Sequence, residues 1–199
     1  MFDNREAAMD DDRDRRADAR RNIAAILDAA EARLATNPDA SIGEIATAAG
    51  VGRVTLYGHF SSRSALVDSA FARAVERADQ ALDSVDLTGD PRAALARLIR
   101  SSWTVIDRSR ALLLAAQQAL PPERIRDLHE RPMRRVRDLL ERGRTEAAFR
   151  VDLPESWMVA TFYSVMHAAA DEIAAGRLAG DDAGDVLATT LLAAFTSPD

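Results

Sequence analysis

The stretch "SIGEIATAAGVGRVTLYGHF", residues 41–60, decides how this chain folds. Ser41 followed three positions later by Glu44 has capping-box spacing, which predicts a helix that starts at Ile42 and buries Ile45, Ala46 and Ala49. Gly50 then supplies a turn. Val51, Val54, Leu56 and Tyr57 predict a second short helix ending near Gly58. Small Ala46 and Ala49 let the helices approach closely, and Val51 and Leu56 fill the angle between them. Two short helices joined by a glycine turn have the geometry of a helix-turn-helix, whose second helix can enter a DNA major groove.

The second helix leaves Gly52, Arg53, Thr55, Tyr57 and His59 as its non-apolar positions. A guanidinium such as that of Arg53 can grip a guanine edge with two hydrogen bonds, and Val54 can touch a thymine methyl. The hydroxyls of Thr55 and Tyr57 suit phosphate oxygens, and Arg63, near the start of the next helix, can clamp the backbone. Taken alone, the pattern leaves both readings open, since many helix pairs with a glycine turn only pack. Phe60 reads as core, Tyr57 as a packed ring with an exposed hydroxyl, and His59 as a turn-packing residue or a contact.

Outward from this stretch, the apolar periodicity is helical throughout. Ile23, Ile26, Leu27, Ala30 and Leu34 mark a preceding helix that ends at "TNPDA". Ser61 or Ser62 caps a following helix that continues to about residue 84. After the break "DLTGDP" at 86–91, Leu95, Leu98, Ile99, Trp103 and Ile106 recur at helical spacing, and "ALLLAAQQAL" is stopped by Pro121 and Pro122. An arginine-rich helix is predicted over 123–147 with a kink at Pro132, and two more over 155–176 and 181–196. The expectation is an all-α fold of about nine helices. A disordered tail over 1–16 precedes a three-helix helix-turn-helix domain over 17–65 and a helical bundle over 66–199.

Composition narrows the function. The 199 residues contain 47% hydrophobic and 29% charged residues, as in soluble globular chains. The net charge of -6 hides a local asymmetry, because residues 1–12 hold five acids and one arginine while 13–73 hold nine arginines and seven acids. All 26 basic residues are arginine, which reads as a GC-rich codon bias. The absence of cysteine removes disulfides, thiolate chemistry and the common zinc sites. Three histidines far apart, no glycine-rich phosphate loop and no metal-ligand spacing leave no catalytic constellation, so no enzyme activity, metal or cofactor is expected. The N-terminus has no apolar signal core and no run long enough to span a membrane, so a cytoplasmic protein is expected.

"IATAAGVGRVTLYGHFSSRSALVDSAF" resembles the DNA-binding domain of the tetracycline-repressor (TetR) family of bacterial transcription regulators. The match runs through Ala49, Gly50, Val51, Thr55, Leu56, Tyr57, His59 and Phe60, with Arg63 where lysine is usual. The resemblance implies a ligand-responsive regulator, most commonly a repressor. It would bind a palindromic double-stranded operator as a homodimer and be released by a small-molecule effector. It places Ser41, Thr55, Tyr57, His59 and Arg63 near phosphates, and Arg53 and Val54 near base edges. Gly43 departs from relatives that carry a base-contacting arginine there, which shifts readout toward Arg53. The alternative is a helix-turn-helix-derived interaction protein that no longer binds DNA.

The C-terminal half offers sensor candidates. Trp103, Leu113, Gln117, His129, Met133, Phe162, Met166 and His167 lie on separate predicted helices and could converge on a mostly apolar ligand cavity. Trp157, Ala160, Thr161, Ser164, Ala168, Leu187, Leu191 and Phe195 supply a small and apolar surface on the last two helices. That surface suits either an intramolecular face or, as the resemblance implies, a symmetric four-helix dimer interface. The seven arginines between 131 and 150 are interleaved with Glu130, Asp138, Glu141 and Glu146, which predicts a salt-bridged solvated face.

Overall fold

The computed structural model describes the backbone of residues 3–197 and the side chains from Arg13 onward, except at positions 14 and 15. Among the described residues all regular structure is helical. The ten α-helices are α1 (Asp3–Thr36), α2 (Ile42–Ala48), α3 (Arg53–His59), α4 (Arg63–Ala81), α5 (Pro91–Arg108), α6 (Arg110–Ala119), α7 (Pro122–Leu128), α8 (Glu130–Thr145), α9 (Glu155–Ala174) and α10 (Gly180–Phe195). The expected break at residue 65 falls inside α4. No helix among the described residues is long and apolar enough to cross a membrane.

Two compact units emerge. The first comprises residues up to Arg73 together with Ala111–Pro121. Its core gathers Ile26, Ala30 and Leu34 of α1, Ile45 and Ala46 of α2, Leu56 of α3, and Leu66 and Ala70 of α4, all buried. Arg73 ties α4 back to α1, with Nε 2.6 Å from Glu31 and Nη2 2.6 Å from Asp28. The tail expected over 1–16 is helical where its backbone is described, from Asp3 on. Residues 1 and 2 lie outside the described residues. Once the buried part of α1 is nucleated, each added Ala, Arg or Glu extends the helix without a new nucleation cost.

The second unit comprises Ala74–Arg110 and the residues from Pro122 on. Asp90 caps α5 by accepting from Ala93 N at 2.8 Å, and Pro91 occupies the first helical position, where a missing N–H costs nothing. Leu95, Leu98 and Ile99 of α5, Leu140 of α8, Met158 and Met166 of α9, and Leu191 and Phe195 of α10 fill the core. The single helix predicted over 123–147 is two, parted at His129 rather than kinked at Pro132. Pro132 sits in the first turn of α8, where its lack of an N–H breaks no intrahelical bond.

After α8 the chain reverses through Ala147, at φ 56°, and lays the buried ring of Phe149 on Gly143. A Cβ at Gly143 would stand 2.1 Å from that ring. Gly143→Ala is therefore expected to destabilise the fold by about 1–3 kcal/mol through overpacking, seen as a lowered midpoint in thermal melts followed by circular dichroism.

Candidate nucleic-acid interface and ligand cavity

In the first unit, α2 opens with the capping box that Ser41 and Glu44 predict. Glu44 N donates to Ser41 Oγ at 3.3 Å, and Ser41 N donates to the Glu44 carboxylate at 2.8 Å. The Ser41 hydroxyl also donates to that carboxylate, at 2.7 Å. These bonds from the Ser41 side chain and backbone hold the Glu44 carboxyl below its usual range. Ser41, expected near a phosphate, thus has its hydroxyl engaged in the cap.

The turn after α2 is a Schellman motif. Val51 N bonds to Ala46 O at 3.0 Å and Gly50 N to Thr47 O at 3.2 Å, with Gly50 at φ +69°. Only glycine takes that conformation without strain. Helix α3 then starts at Arg53, two residues later than its apolar pattern suggests. Leu56 and Phe60, one turn apart, are buried. The geometry turns Val54 to the opposite face, where it is 88% exposed, and Tyr57 to the flank at 52%, while Arg53, one turn before Leu56, is exposed at the start of the helix on the side of α2. Thr55 is exposed and His59 half-buried at its edges.

Gly43 has a structural reason. A Cβ built there would lie 2.2 Å from an Arg53 guanidinium nitrogen, so that guanidinium rests over the first turn of α2 in space a side chain would fill. Arg63, expected near a phosphate, has its guanidinium on backbone carbonyls of its own chain. Its Nε donates to Ala40 O at 3.2 Å and its Nη2 to Pro38 O at 2.5 Å, tying α4 to the loop between α1 and α2.

In the second unit, a mostly apolar cavity of about 80 Å³ opens between α4, α5, α8 and α9. Five sequence candidates line it: His129, Met133, Phe162, Met166 and His167. Three do not. Trp103 is buried against α10, with Nε1 3.4 Å from Gly180 O; Leu113 is buried in the first unit, and Gln117 is exposed there. Helical spacing shows that such residues face inward, but not which interior they enter. The sequence reading missed Ser102, Tyr163 and the buried Asp79 on the cavity wall. A serine and an aspartate interrupting otherwise apolar faces were the available signal.

Three rings cluster on this wall. His129 stands 5.3 Å from Tyr163 and 5.0 Å from His167 in edge-on contact, and Tyr163 lies 4.2 Å from His167. His129 Nδ1 donates to Ile125 O at 2.8 Å, which fixes its tautomer. Burial pushes His129 down, and burial with the neighbouring His129 pushes His167 down to about 3. Among the described residues no group of three His, Asp or Glu is placed to hold a metal ion.

The last two helices divide differently from expectation. Trp157, Ala160, Ser164 and Ala168 form an exposed stripe on α9, with Thr161 half-buried and its hydroxyl on Trp157 O. Leu187, Leu191 and Phe195 are buried within this one chain, so they belong to its own core rather than to an exposed face. The exposed apolar residue on α10 is Val186.

A family profile describing bacterial regulatory proteins of the tetR family matches residues 26–70. The chain is 30% identical over 147 residues to the HTH-type transcriptional repressor LfrR of Mycolicibacterium smegmatis, an alignment covering 72% of this chain and 75% of that one. The crystal structure of LfrR in complex with proflavine superposes with a TM-score of 0.66 at 26% identity, covering 90% of this chain and 98% of that one. A regulator from Saccharomonospora viridis in complex with choline, at 18% identity, shares the fold with a TM-score of 0.73, covering 88% and 98% of the two chains.

Two outcomes follow from this geometry. Arg63→Ala leaves the carbonyls of Pro38 and Ala40 without their partner, and the melting midpoint is expected to fall by the equivalent of about 1–3 kcal/mol. His167 takes a proton near 6.5 when unfolded but only near 3 when folded. Stability is then complete above the ordinary imidazole range and declines as pH falls through that window, because the unfolded chain binds the extra proton. Thermal melts from pH 6.5 downward should show a steeper decline for the wild type than for His167→Phe.

Proposed function

The chain belongs to the TetR family of bacterial regulatory proteins, and from that premise we propose that it is a repressor that grips a palindromic DNA operator as a homodimer and releases it when a small molecule enters the α4, α5, α8 and α9 cavity. It is a transcription regulator and not an enzyme. The observation that carries the DNA reading is the outward face of α3. An 88% exposed valine beside a half-exposed tyrosine is costly on a surface facing only water, and it gains from a thymine methyl and sugar-phosphate contact. Arg53 supplies the two-pronged donor for a guanine edge, and Thr55 and the Tyr57 hydroxyl supply donors for phosphates. Ser41 and Arg63 act one step back, holding α2 and its preceding loop in place. Such a protein works in the cytoplasm, where the operator is.

The homodimer reading rests on the exposed stripe of α9. Trp157 at 61% exposure, with small Ala160, Ser164 and Ala168 along the same helix and Val186 on α10, lets a second copy approach closely. An effector can weaken DNA binding only as far as its affinity differs between the DNA-competent state and the other one. LfrR was crystallised with proflavine, which supports a ligand-holding role for the corresponding bundle here.

Gel-shift titration against DNA upstream of the chain's own gene, repeated at two salt concentrations, tests the reading. Specific binding should weaken steeply as salt rises, because phosphate neutralisation releases counterions. Arg53→Ala is expected to cost about 1–3 kcal/mol at one base position of each half-site. Unchanged sequence preference in that variant would remove Arg53 from base readout.

A further inference from the structure

Two polar groups on the cavity wall, Ser102 and His167, face the space between the helices. Ser102 of α5 is 8% exposed, lines the cavity, and its hydroxyl has no hydrogen-bond partner among the described residues. His167 of α9 lines the same space and meets the rings of His129 and Tyr163, yet its ring nitrogens likewise have no hydrogen-bond partner among the described residues. Buried polar groups are ordinarily paired, and a pair left open toward a cavity is completed by whatever enters it.

Charge on the wall narrows the class of visitor. Asp79 is the one carboxylate among the residues lining the cavity, and it is already held by Arg131 Nε at 3.1 Å and Arg135 Nη1 at 2.8 Å. Within the cavity itself a cation would find no free counter-charge and would meet Arg135 on the same wall, since Asp127 and Glu130 line only the outer groove, beside Arg126 and Arg137. The surroundings also keep both imidazoles uncharged, the same penalty applied to the protein's own groups.

Size is set by what must move. The closed cavity measures about 80 Å³, less than an aromatic ring requires. An outer groove of about 390 Å³ between α7, α8 and α9 shares Met133 and Tyr163 with it. Met133 is unbranched and flexible and belongs to both linings, so it is the side chain whose rotation would join the two spaces.

We propose that the effector is a neutral aromatic molecule of one or two rings carrying a hydroxyl or carbonyl, with the ring among Met133, Phe162 and Tyr163 and the polar group bonded to Ser102 and His167. This rests on the reading of the cavity as the effector site. The test is calorimetric titration of the full chain with naphthol, naphthalene and the cation proflavine, with operator release followed in parallel by gel shift. Naphthol is expected to bind about ten-fold more tightly than proflavine. Ser102→Ala and His167→Phe should each weaken naphthol about five-fold, the worth of one hydrogen bond, while naphthalene binds both variants no more weakly, which shows the cavity intact. Proflavine binding more tightly than naphthol, no naphthol binding at all, or naphthol affinity indifferent to both substitutions would overturn the proposal. Naphthol binding as described with the operator still held would uphold the class of molecule that the cavity takes and overturn release as its consequence.

Discussion

The exposed face of α3 depends on one backbone conformation, the left-handed turn at Gly50. At φ +69° the chain leaves α2 and returns over Ala46 within two residues, its last carbonyls met by Gly50 N and Val51 N. Both α2 and α3 have seven residues, too few to be helical in isolation. They persist because Ile45, Ala46 and Leu56 are buried against a common core. Burying Leu56 and Phe60 on one side is what forces Val54 to the other and Tyr57 to the flank, while Arg53, one turn before Leu56, leans over α2. The exposed surface of α3 is thus a by-product of packing, with its orientation inherited from the turn at Gly50.

Arginine takes several structural roles that a mixed cationic composition would divide. Arg63, Arg97, Arg144 and Arg150 reach main-chain carbonyls at the ends of helices or in loops, using the fan of donors that a guanidinium offers. Arg131 and Arg135 converge on buried Asp79, and Arg135 reaches Asp83 as well. The arginine-rich stretch of α8 is therefore pinned down by acids on other elements, with Glu146 the one sequence neighbour among its expected partners that it engages. Unlike these, Arg53 has neither a carbonyl nor a carboxylate as partner among the described residues, and its guanidinium lies beside Gly43.

Much of this was legible in advance where a residue's role is local. The capping box at Ser41, the turn at Gly50 and the inward period of Leu56 and Phe60 are decided within a few residues, and α2 begins where the capping box predicts. Partnerships across the fold were not legible. Arg63 looked like a phosphate clamp because its type and position allow one, but its bonds go to Pro38 and Ala40, more than twenty residues earlier. Leu187, Leu191 and Phe195 carry the same apolar signal whether they meet α5 or another copy, and sequence period cannot choose between the two. Ser102 and Asp79 were passed over because a polar residue on an apolar helical face looks like a surface position until its burial is known.

The empty position at Gly43 makes two residues one choice. The Arg53 guanidinium occupies the volume that any side chain at 43 would claim, so a larger residue there and the present pose of Arg53 exclude each other. A change at 43 re-aims residue 53 as well as adding a group of its own. Substitutions at the two positions are therefore expected to be non-additive, in whatever property the face they share controls.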